Sequence, residues 1–356
     1  MSAEPISPAT RVYRLSRPFA LESGVLLPDV AVAYRTWGRL ATDGGNAVLV
    51  CHALTGNADV DSWWPQLLGR GRALDPERDY VVCSNVLGSC YGTTGPASSR
   101  RSGEPWGPDF PSVTVRDMVR LQRELLHALG VCHLRLVLGG SLGGMQAIEW
   151  VATSPETVGA AVVLAAPGRH SAWATALSEA QRAAIRADAR FVNGRYSAAD
   201  PPRAGLAAAR MIAMCSYRSP ASFASRFGRT VAPDGSFQVE RYLRRQGEKL
   251  VARFDANTYL TLSLAMDTHD VSRGRGEFHT VLRSLHTPML VVSIDSDVLY
   301  PPEELEELAA VAPGAELAVL SSPHGHDAFL IEAEAVDQLV LGFRARLAAV
   351  QRRRAS

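Results

Sequence analysis

Short apolar runs alternate along the chain with longer stretches in which apolar residues recur every three or four positions. The apolar runs cover residues 47–53, 80–86, 134–138, 158–164, 288–294 and 317–322. Runs of this length between polar turns predict buried strands. Residues 115–129 carry an apolar stripe at helical spacing and predict a helix. The alternation of strands and helices predicts an α/β fold, with a mostly parallel central sheet and helices on both faces.

The strand pattern stops near Pro167 and resumes at residue 288. Residues 168–280 are rich in Ala and Arg and contain no convincing strand pattern. Their apolar spacing predicts helices at 172–185, 206–214 and 237–250. We therefore predict a core formed by residues 1–167 and 281–356, into which residues 168–280 are inserted as a helical lid.

Two further elements are predicted near the ends of the chain. Residues 18–37 predict a hairpin that turns at Gly24, and residues 328–349 predict a final helix that covers the sheet.

A glycine-flanked serine follows the third apolar run. Residues 139–143 read Gly-Gly-Ser-Leu-Gly and are followed by a helix-favouring stretch. A strand, Gly-x-Ser-x-Gly and a helix are typical of the nucleophile elbow of an α/β-hydrolase fold. The serine must occupy a strained turn, and Gly139 and Gly143 remove Cβ atoms where the strand and the helix pass close together. The pattern predicts that Ser141 is a nucleophile.

An acid and a histidine should follow the serine, in that order, in loops after late strands. The fifth apolar run leads into a loop with Asp295 and Asp297, and the sixth leads into a loop with His324 and His326. The residue types leave both choices open, and the unused aspartate is expected to cap the helix that begins near Glu303. The histidine would take the serine proton, and the aspartate would fix the imidazole tautomer.

The oxyanion of an acyl-transfer reaction needs two hydrogen-bond donors. One should be the backbone N–H of Leu142, which follows the predicted nucleophile. The other should come from the loop after an early strand, and residues 53–56 form that loop after the first apolar run.

The composition excludes several classes of function. The 356 residues are 47% hydrophobic and 21% charged, and the formal net charge of +1 gives no reason to expect a nucleic acid partner. No apolar run approaches the ~18 residues of a membrane-spanning helix, and the first residues lack a secretory signal. The five cysteines form no CxxC pair, which argues against a metal site and for a reducing compartment. We therefore expect a cytoplasmic protein without a membrane partner.

A set of motifs extends over nearly the whole chain, from about residue 12 to 348. They lie at residues 34–38, 52–56, 85–96, 110–119, 139–146, 296–301 and 325–330. In combination they resemble the homoserine O-acetyltransferases of methionine biosynthesis, an acyltransferase family with the α/β-hydrolase fold. The resemblance implies a ping-pong reaction in which the serine takes an acyl group from acyl-CoA and passes it to the hydroxyl of L-homoserine. It implies a homodimer and no cofactor, since acyl-CoA is a co-substrate.

The resemblance also implies roles for individual residues. It makes Ser141 the nucleophile, Asp297 the acid and His326 the base. It assigns the two oxyanion N–H groups to Leu54 and Leu142. For the amino-acid substrate it implies Arg210 as the partner of the carboxylate, Asp327 as the partner of the ammonium, and Tyr217 and Met145 as pocket-lining residues. A guanidinium suits the first role because its fork can bind a carboxylate through two hydrogen bonds.

The chain departs from the family pattern in two places near the expected pocket. Residues 57–64 form a shorter connection to the two tryptophans than the family has, and residues 88–90 read Gly-Ser-Cys where Gly-Gly-Cys is common. These departures leave open a succinyl rather than an acetyl donor, and serine rather than homoserine as acceptor. A lidded serine esterase, with water as the acceptor, is the alternative function.

Overall fold

The computed structural model describes residues 7–355, so the first six residues, which bear on the expected lack of a secretory signal, lie outside the described residues. The strands are β1 (Arg11–Arg14), β2 (Phe19–Ala20), β3 (Leu26–Leu27), β4 (Ala31–Trp37), β5 (Ala47–Cys51), β6 (Tyr80–Ser84), β7 (Leu134–Gly140), β8 (Ala161–Leu164), β9 (Met289–Ile294) and β10 (Ala315–Leu320). The helices are α1 (Val60–Trp63), α2 (Val115–Ala128), α3 (Leu142–Thr153), α4 (Ala172–Arg186), α5 (Arg203–Tyr217), α6 (Pro220–Phe227), α7 (Gln238–Val251), α8 (Ala256–Asp267), α9 (Phe278–Arg283), α10 (Pro302–Val311), α11 (Ala328–Ile331) and α12 (Ala333–Ala355).

Eight strands form one sheet in the order β1-β4-β6-β5-β7-β8-β9-β10. From β6 to β10 all neighbours are parallel, whereas β4 is antiparallel to both β1 and β6. The predicted fold class is confirmed: the sheet is mostly parallel and helices cover both faces.

The two faces of the sheet bury separate hydrophobic clusters. Leu49 and Val137 point into the cluster that contains α2 and α3, whereas Val50 and Leu138 point into the cluster that contains α12. Every residue of β5 and β9 is buried, as expected for strands covered on both sides. Burial of each large apolar side chain contributes about 1.5–3 kcal/mol.

The predicted hairpin over residues 18–37 is wrong, because the strand before the Gly24 turn does not pair with β4. Strand β2 pairs with β3, with Phe19 opposite Leu27, while β4 pairs with β1 and β6. The turn at Gly24 therefore closes only a two-residue ladder. Asp29 has a left-handed φ of 56°, just before the chain returns to the main sheet at β4.

The predicted final helix is also divided. Residues Gly325–Asp327 form a 3₁₀ turn, α11 follows, and Glu332 interrupts the helix with φ −88° and ψ 41° before α12 begins. The strand expected from residue 158 begins only at Ala161.

Between β8 and β9 the chain forms α4 to α9, which we call the helical segment. Helix α5 contacts α4, α7 and the 3₁₀ turn Gly325–Asp327. The Ser219 hydroxyl, just after α5, donates a hydrogen bond to the Pro323 carbonyl. The Gly325 backbone passes so close that a Cβ atom there would lie 2.6 Å from the Ser219 nitrogen. The helical segment therefore contacts the loop after β10.

Candidate active site

Ser141 forms the sharp turn between β7 and α3. Its φ of 56° and ψ of −124° are strained for a residue with a side chain and cost about 1–3 kcal/mol. A Cβ atom on Gly139 would lie 2.5 Å from the Gly143 backbone, and one on Gly143 would lie 2.1 Å from the Cys51 carbonyl oxygen. The steric reason predicted for both glycines is therefore confirmed. The turn has the geometry of a nucleophile elbow.

A buried acid–imidazole pair lies in the loops after β9 and β10. His326 Nδ1 is 2.7 Å from Asp297 Oδ2. The other carboxylate oxygen accepts hydrogen bonds from the N–H groups of Leu299 (2.8 Å) and Tyr300 (3.1 Å). Burial acts to lower the pKa of His326, but the charge of Asp297 and its hydrogen bond outweigh burial and raise it. Because the Nδ1 proton faces Asp297, Nε2 is left as the basic nitrogen.

His326 Nε2 is buried and has no hydrogen-bond partner within residues 7–355. The ring packs against Phe329, with ring centres 5.7 Å apart. Phe329 in turn lies against the end of β7, since a Cβ atom on Gly140 would be 2.4 Å from its ring. These contacts bring the turn with the unsatisfied imidazole nitrogen to the strand end that carries Ser141.

The alternative acid and base make other contacts. The Asp295 carboxylate accepts hydrogen bonds from the Ser321 hydroxyl (2.7 Å) and the Ser322 N–H (3.0 Å), which ties the loops after β9 and β10 together. His324 is half-exposed, and its ring nitrogen Nδ1 lies 3.4 Å from the Ser222 hydroxyl. Neither aspartate caps α10, which begins after Pro301 without a side-chain cap, so that expectation is wrong.

The two predicted oxyanion donors lie at the ends of β5 and β7. Leu142 is the first residue of α3, so its N–H has no acceptor within the helix. In the loop after β5, the carbonyl of Ala53 belongs to the same peptide group as the Leu54 N–H. It accepts hydrogen bonds from His52 Nδ1 at 2.8 Å and from the Gly56 N–H at 2.9 Å. The peptide that carries the Leu54 donor is therefore held from its carbonyl side.

His52 has one fixed tautomer. Its Nε2 accepts a hydrogen bond from the Val86 N–H at 3.1 Å, so its proton is on Nδ1, facing the Ala53 carbonyl. Burial lowers the pKa of His52 to about 4, against the opposing effect of that carbonyl. The ring is thus a neutral structural support of the loop, a role that its position in the sequence motif did not indicate.

Three of the residues expected at the amino-acid site, Arg210, Tyr217 and Asp327, lie around His326. The guanidinium carbon of Arg210 is 5.3 Å from the centre of the Tyr217 ring, and that ring is 5.6 Å from the His326 ring. Asp327 forms an ion pair of 3.3 Å with Arg218, which no sequence pattern had singled out. Burial raises the pKa of Asp327, while the charges of Arg218 and Arg210 oppose the rise.

Met145 lies apart from this cluster. Its side chain is completely buried in the core, and its N–H donates to the Ser141 carbonyl at 3.0 Å. In this conformation a substrate could reach Met145 only if neighbouring side chains moved.

Comparison with known proteins places this geometry in a family. Residues 46–333 match the family model of the alpha/beta hydrolase fold. The homoserine O-acetyltransferase of Chloroherpeton thalassium is 56% identical over 342 residues, which cover 96% of this chain and 90% of that protein. The chain belongs to the homoserine O-acetyltransferase family. It is therefore an enzyme of the α/β-hydrolase fold.

Solved structures with this fold include both transferases and hydrolases. The homoserine O-acetyltransferase of Staphylococcus aureus is 29% identical, with a TM-score of 0.77 and 94% of both chains covered. The esterase E22 is 27% identical, with a TM-score of 0.85 and coverage of 94% of this chain and 99% of that one. The fold alone therefore does not distinguish the two reactions.

The two departures from the family pattern lie next to the site. The short connection after the predicted oxyanion loop leads through α1 to Trp64, whose indole N–H donates to the Phe329 carbonyl at 3.0 Å. In the glycine-rich loop, Ser89 and Cys90 are buried, and the Tyr91 hydroxyl accepts a hydrogen bond from Arg253 at 2.5 Å. Both segments therefore support the residues around the site.

Residues 7–355 contain no group of three or more His, Cys, Asp or Glu side chains arranged to hold a metal ion. Within the same residues no helix has the length and apolar character needed to cross a membrane.

Proposed function

We propose that this enzyme transfers an acetyl group from acetyl-CoA to the side-chain hydroxyl of L-homoserine through an acyl-enzyme on Ser141. The observation that carries the proposal is the buried imidazole of His326. One nitrogen faces Asp297 at 2.7 Å, and the other is buried without a partner next to the strand end that bears the serine. A base held in this way is what activation of a serine hydroxyl requires.

In the first half-reaction, the Ser141 oxygen attacks the thioester carbonyl while His326 Nε2 takes its proton. The N–H groups of Leu54 and Leu142 stabilise the oxyanion. The C–S bond then breaks, and the leaving thiolate takes the proton from His326 to give free coenzyme A. In the second half, His326 takes the proton of the acceptor hydroxyl, whose oxygen attacks the acyl-enzyme. The ester bond to Ser141 breaks, and the serine oxygen recovers the proton.

The acceptor is assigned from the charges around His326. Homoserine carries a carboxylate and an ammonium. Arg210 offers a cation and Asp327 an anion, and Asp327 directly follows the base in the chain. An acceptor bound at both ends would hold its hydroxyl close to His326, which favours transfer over hydrolysis. Tyr217 would close the pocket between Arg210 and the imidazole.

We further propose that the helical segment, predicted as residues 168–280, acts as a lid that keeps water from the acyl-enzyme. Its contact with the loop after β10, through Ser219 and Gly325, supports this role. The expected homodimer is part of the same proposal, and light scattering of the purified enzyme would test it.

A donor–acceptor matrix tests the function. Acetyl-CoA and succinyl-CoA are each combined with homoserine, serine or no acceptor, and the products are identified by mass spectrometry. We expect O-acetylhomoserine as the main product. Without acceptor, acetyl-CoA alone should leave one acetyl group on the peptide with Ser141, and Ser141→Ala should abolish both results. Acetate as the main product in the presence of homoserine would instead identify an esterase, a reaction that the similar esterase structure makes a specific alternative.

A further inference from the structure

Helix α7 presents a row of cations to solvent. Arg241, Arg244, Arg245 and Lys249 are exposed, while Gly247 and Leu250 are buried on the opposite side. Spacings of three and four residues place these cations on one face of the helix. We call them, together with Arg253 just beyond the helix end, the α7 basic stripe.

The stripe is short of counter-charges. Arg244, Arg245 and Lys249 have no carboxylate within ion-pair distance in the described part of the chain. Glu248 is the acidic residue on this face of α7. Asp234 and Arg241 attract each other electrostatically. Like charges at these spacings destabilise a helix unless an anion neutralises them.

Other basic regions of the surface differ in this respect. A cavity of about 650 Å³ is lined by Arg14, Arg100 and Arg101 among others. However, Arg101 is paired with Asp29, and Arg100 bonds Asp109 at 2.6 Å. Unlike Arg100 and Arg101, the exposed side chains of Arg244, Arg245 and Lys249 form no ion pair within residues 7–355, so they can bind an external anion.

The stripe leads to the predicted oxyanion loop. Arg253 Nη1 donates hydrogen bonds to the Thr55 carbonyl at 2.7 Å and to the Tyr91 hydroxyl at 2.5 Å. Thr55 directly follows Leu54, the proposed oxyanion donor. One end of the row thus lies at the place where the thioester carbonyl of a donor would bind.

The length of the α7 basic stripe is comparable with the length of the pantetheine arm of coenzyme A. At 1.5 Å per residue, Lys249, Arg245 and Arg241 lie about 6, 12 and 18 Å from Arg253 along the helix. The pantetheine arm has roughly the length of four extended residues, or about 14 Å. A donor whose thioester lies at the oxyanion loop would therefore place its diphosphate and 3′-phosphate near Arg245 and Arg241.

We propose that the α7 basic stripe binds the phosphate groups of the coenzyme A donor while the pantetheine arm runs past Arg253 to Ser141. This inference rests on the proposed function, because it assumes an acyl-CoA donor. Arginine suits the task, since its guanidinium forms paired, charge-assisted hydrogen bonds to phosphate.

The test compares two donors that differ only in the phosphate-bearing part. Acetyl-CoA and S-acetylpantetheine are assayed with homoserine for the wild type, for Arg245→Gln/Lys249→Gln, and for Arg123→Gln as control. Arg123 is also exposed but lies on α2, away from the stripe. We expect the double variant to raise KM for acetyl-CoA about tenfold or more. Its kcat/KM with S-acetylpantetheine should equal that of the wild type, and the control should behave as wild type with both donors.

The proposal also predicts that added salt raises KM for acetyl-CoA in the wild type more than in the double variant, because exposed ionic contacts are screened. A change of less than about twofold in KM for acetyl-CoA would overturn it. An equal loss of kcat/KM with acetyl-CoA and with S-acetylpantetheine would also overturn the proposal. So would a changed oligomeric state of the double variant in light scattering, because the stripe would then be a contact between subunits. If the wild type forms no product with either donor, the proposed function fails. Direct titration with coenzyme A then decides the stripe separately: equal affinity for wild type and double variant rejects it, and weaker affinity of the variant supports it.

Discussion

Replacement of His52 tests how the oxyanion loop is held. His52→Leu removes the donor to the Ala53 carbonyl and the acceptor of the Val86 N–H. Loss of a whole oxyanion donor costs about 3–4 kcal/mol. Here the Leu54 N–H remains, and the Gly56 N–H still bonds the Ala53 carbonyl, so we expect about half of that cost. A loss of about 1.5–2 kcal/mol corresponds to a decrease of about 13- to 30-fold in kcat/KM.

Two polar replacements separate the effect on catalysis from the effect on stability. In His52→Asn, the side-chain amide can take the place of Nδ1 and donate to Ala53, but nothing accepts from Val86. In His52→Gln, the amide oxygen can reach the place of Nε2, but the donor to Ala53 is lost. An unsatisfied buried N–H costs about 1–3 kcal/mol of folding free energy. We therefore expect His52→Asn to keep the wild-type rate of acylation but to have a lower free energy of unfolding. We expect His52→Gln to keep the wild-type free energy of unfolding but to be acylated more slowly.

Acylation by p-nitrophenyl acetate and urea unfolding measure the two quantities. Because burial holds the pKa of His52 at about 4, the pH dependence of the wild-type rate above pH 6 should owe nothing to this residue. If the Asn and Gln variants lose rate in proportion to their loss of stability, His52 supports the fold in general, and the proposed positioning of the Leu54 peptide is refuted.

Three further predictions concern the triad, the acceptor site and the elbow. Asp297 raises the pKa of His326, and the base acts only when it is neutral. Asp297→Asn should therefore move the acid limb of the pH profile of kcat/KM to lower pH, while the rate falls up to about 10⁴-fold. An acid limb that stays at the wild-type pH would contradict this. Arg210→Lys keeps the charge but loses the fork, so we expect KM for homoserine to rise about tenfold and KM for acetyl-CoA to stay constant; steady-state kinetics with both substrates varied would reveal the opposite pattern. A Cβ on residue 143 would meet the Cys51 carbonyl at 2.1 Å, so Gly143→Ala should destabilise the enzyme by about 1–3 kcal/mol in urea unfolding, and wild-type stability would show that strand and helix can separate.

Much of the fold was predictable because its signals are local. Buried parallel strands such as β5 and β9 are continuous apolar runs, and the steric demand of the elbow fixes glycines at positions 139 and 143. The errors fall where local signals are weak. Strand β1 reads Arg-Val-Tyr-Arg at an edge of the sheet, so it carries no apolar run. Helix α8 is buried on most sides, and its sequence therefore lacks the polar stripe that marks a surface helix.

The candidate site shows the same division. Residue types could not separate Asp295 from Asp297, because both lie in one loop and either can accept hydrogen bonds from nearby backbone. The family resemblance favoured Asp297, and in the structure Asp297 faces His326 while Asp295 accepts hydrogen bonds from the serines after β10. The contact of Arg218 with Asp327 joins residues 109 positions apart, and no sequence spacing could indicate it.

The difference between transfer and hydrolysis must lie outside the serine, the base and the acid, because an acyl-enzyme of this kind accepts any hydroxyl that the base can deprotonate. The groups proposed to select the acceptor lie on α5, which carries Arg210 and Tyr217, and in the turn with His326. Arg210 and Asp327 offer opposite charges around one imidazole, and a zwitterionic amino acid can form an ion pair with each of them, whereas an uncharged water molecule cannot. The proposed acceptor contact, Asp327, and the proposed base, His326, lie in a single 3₁₀ turn, Gly325–Asp327, so an amino acid bound to Asp327 would approach His326 in a fixed position. We therefore expect that substitutions at the proposed acceptor contacts, on α5 and in this turn, would convert such an enzyme toward an esterase. The nucleophile elbow at Ser141 would not need to change.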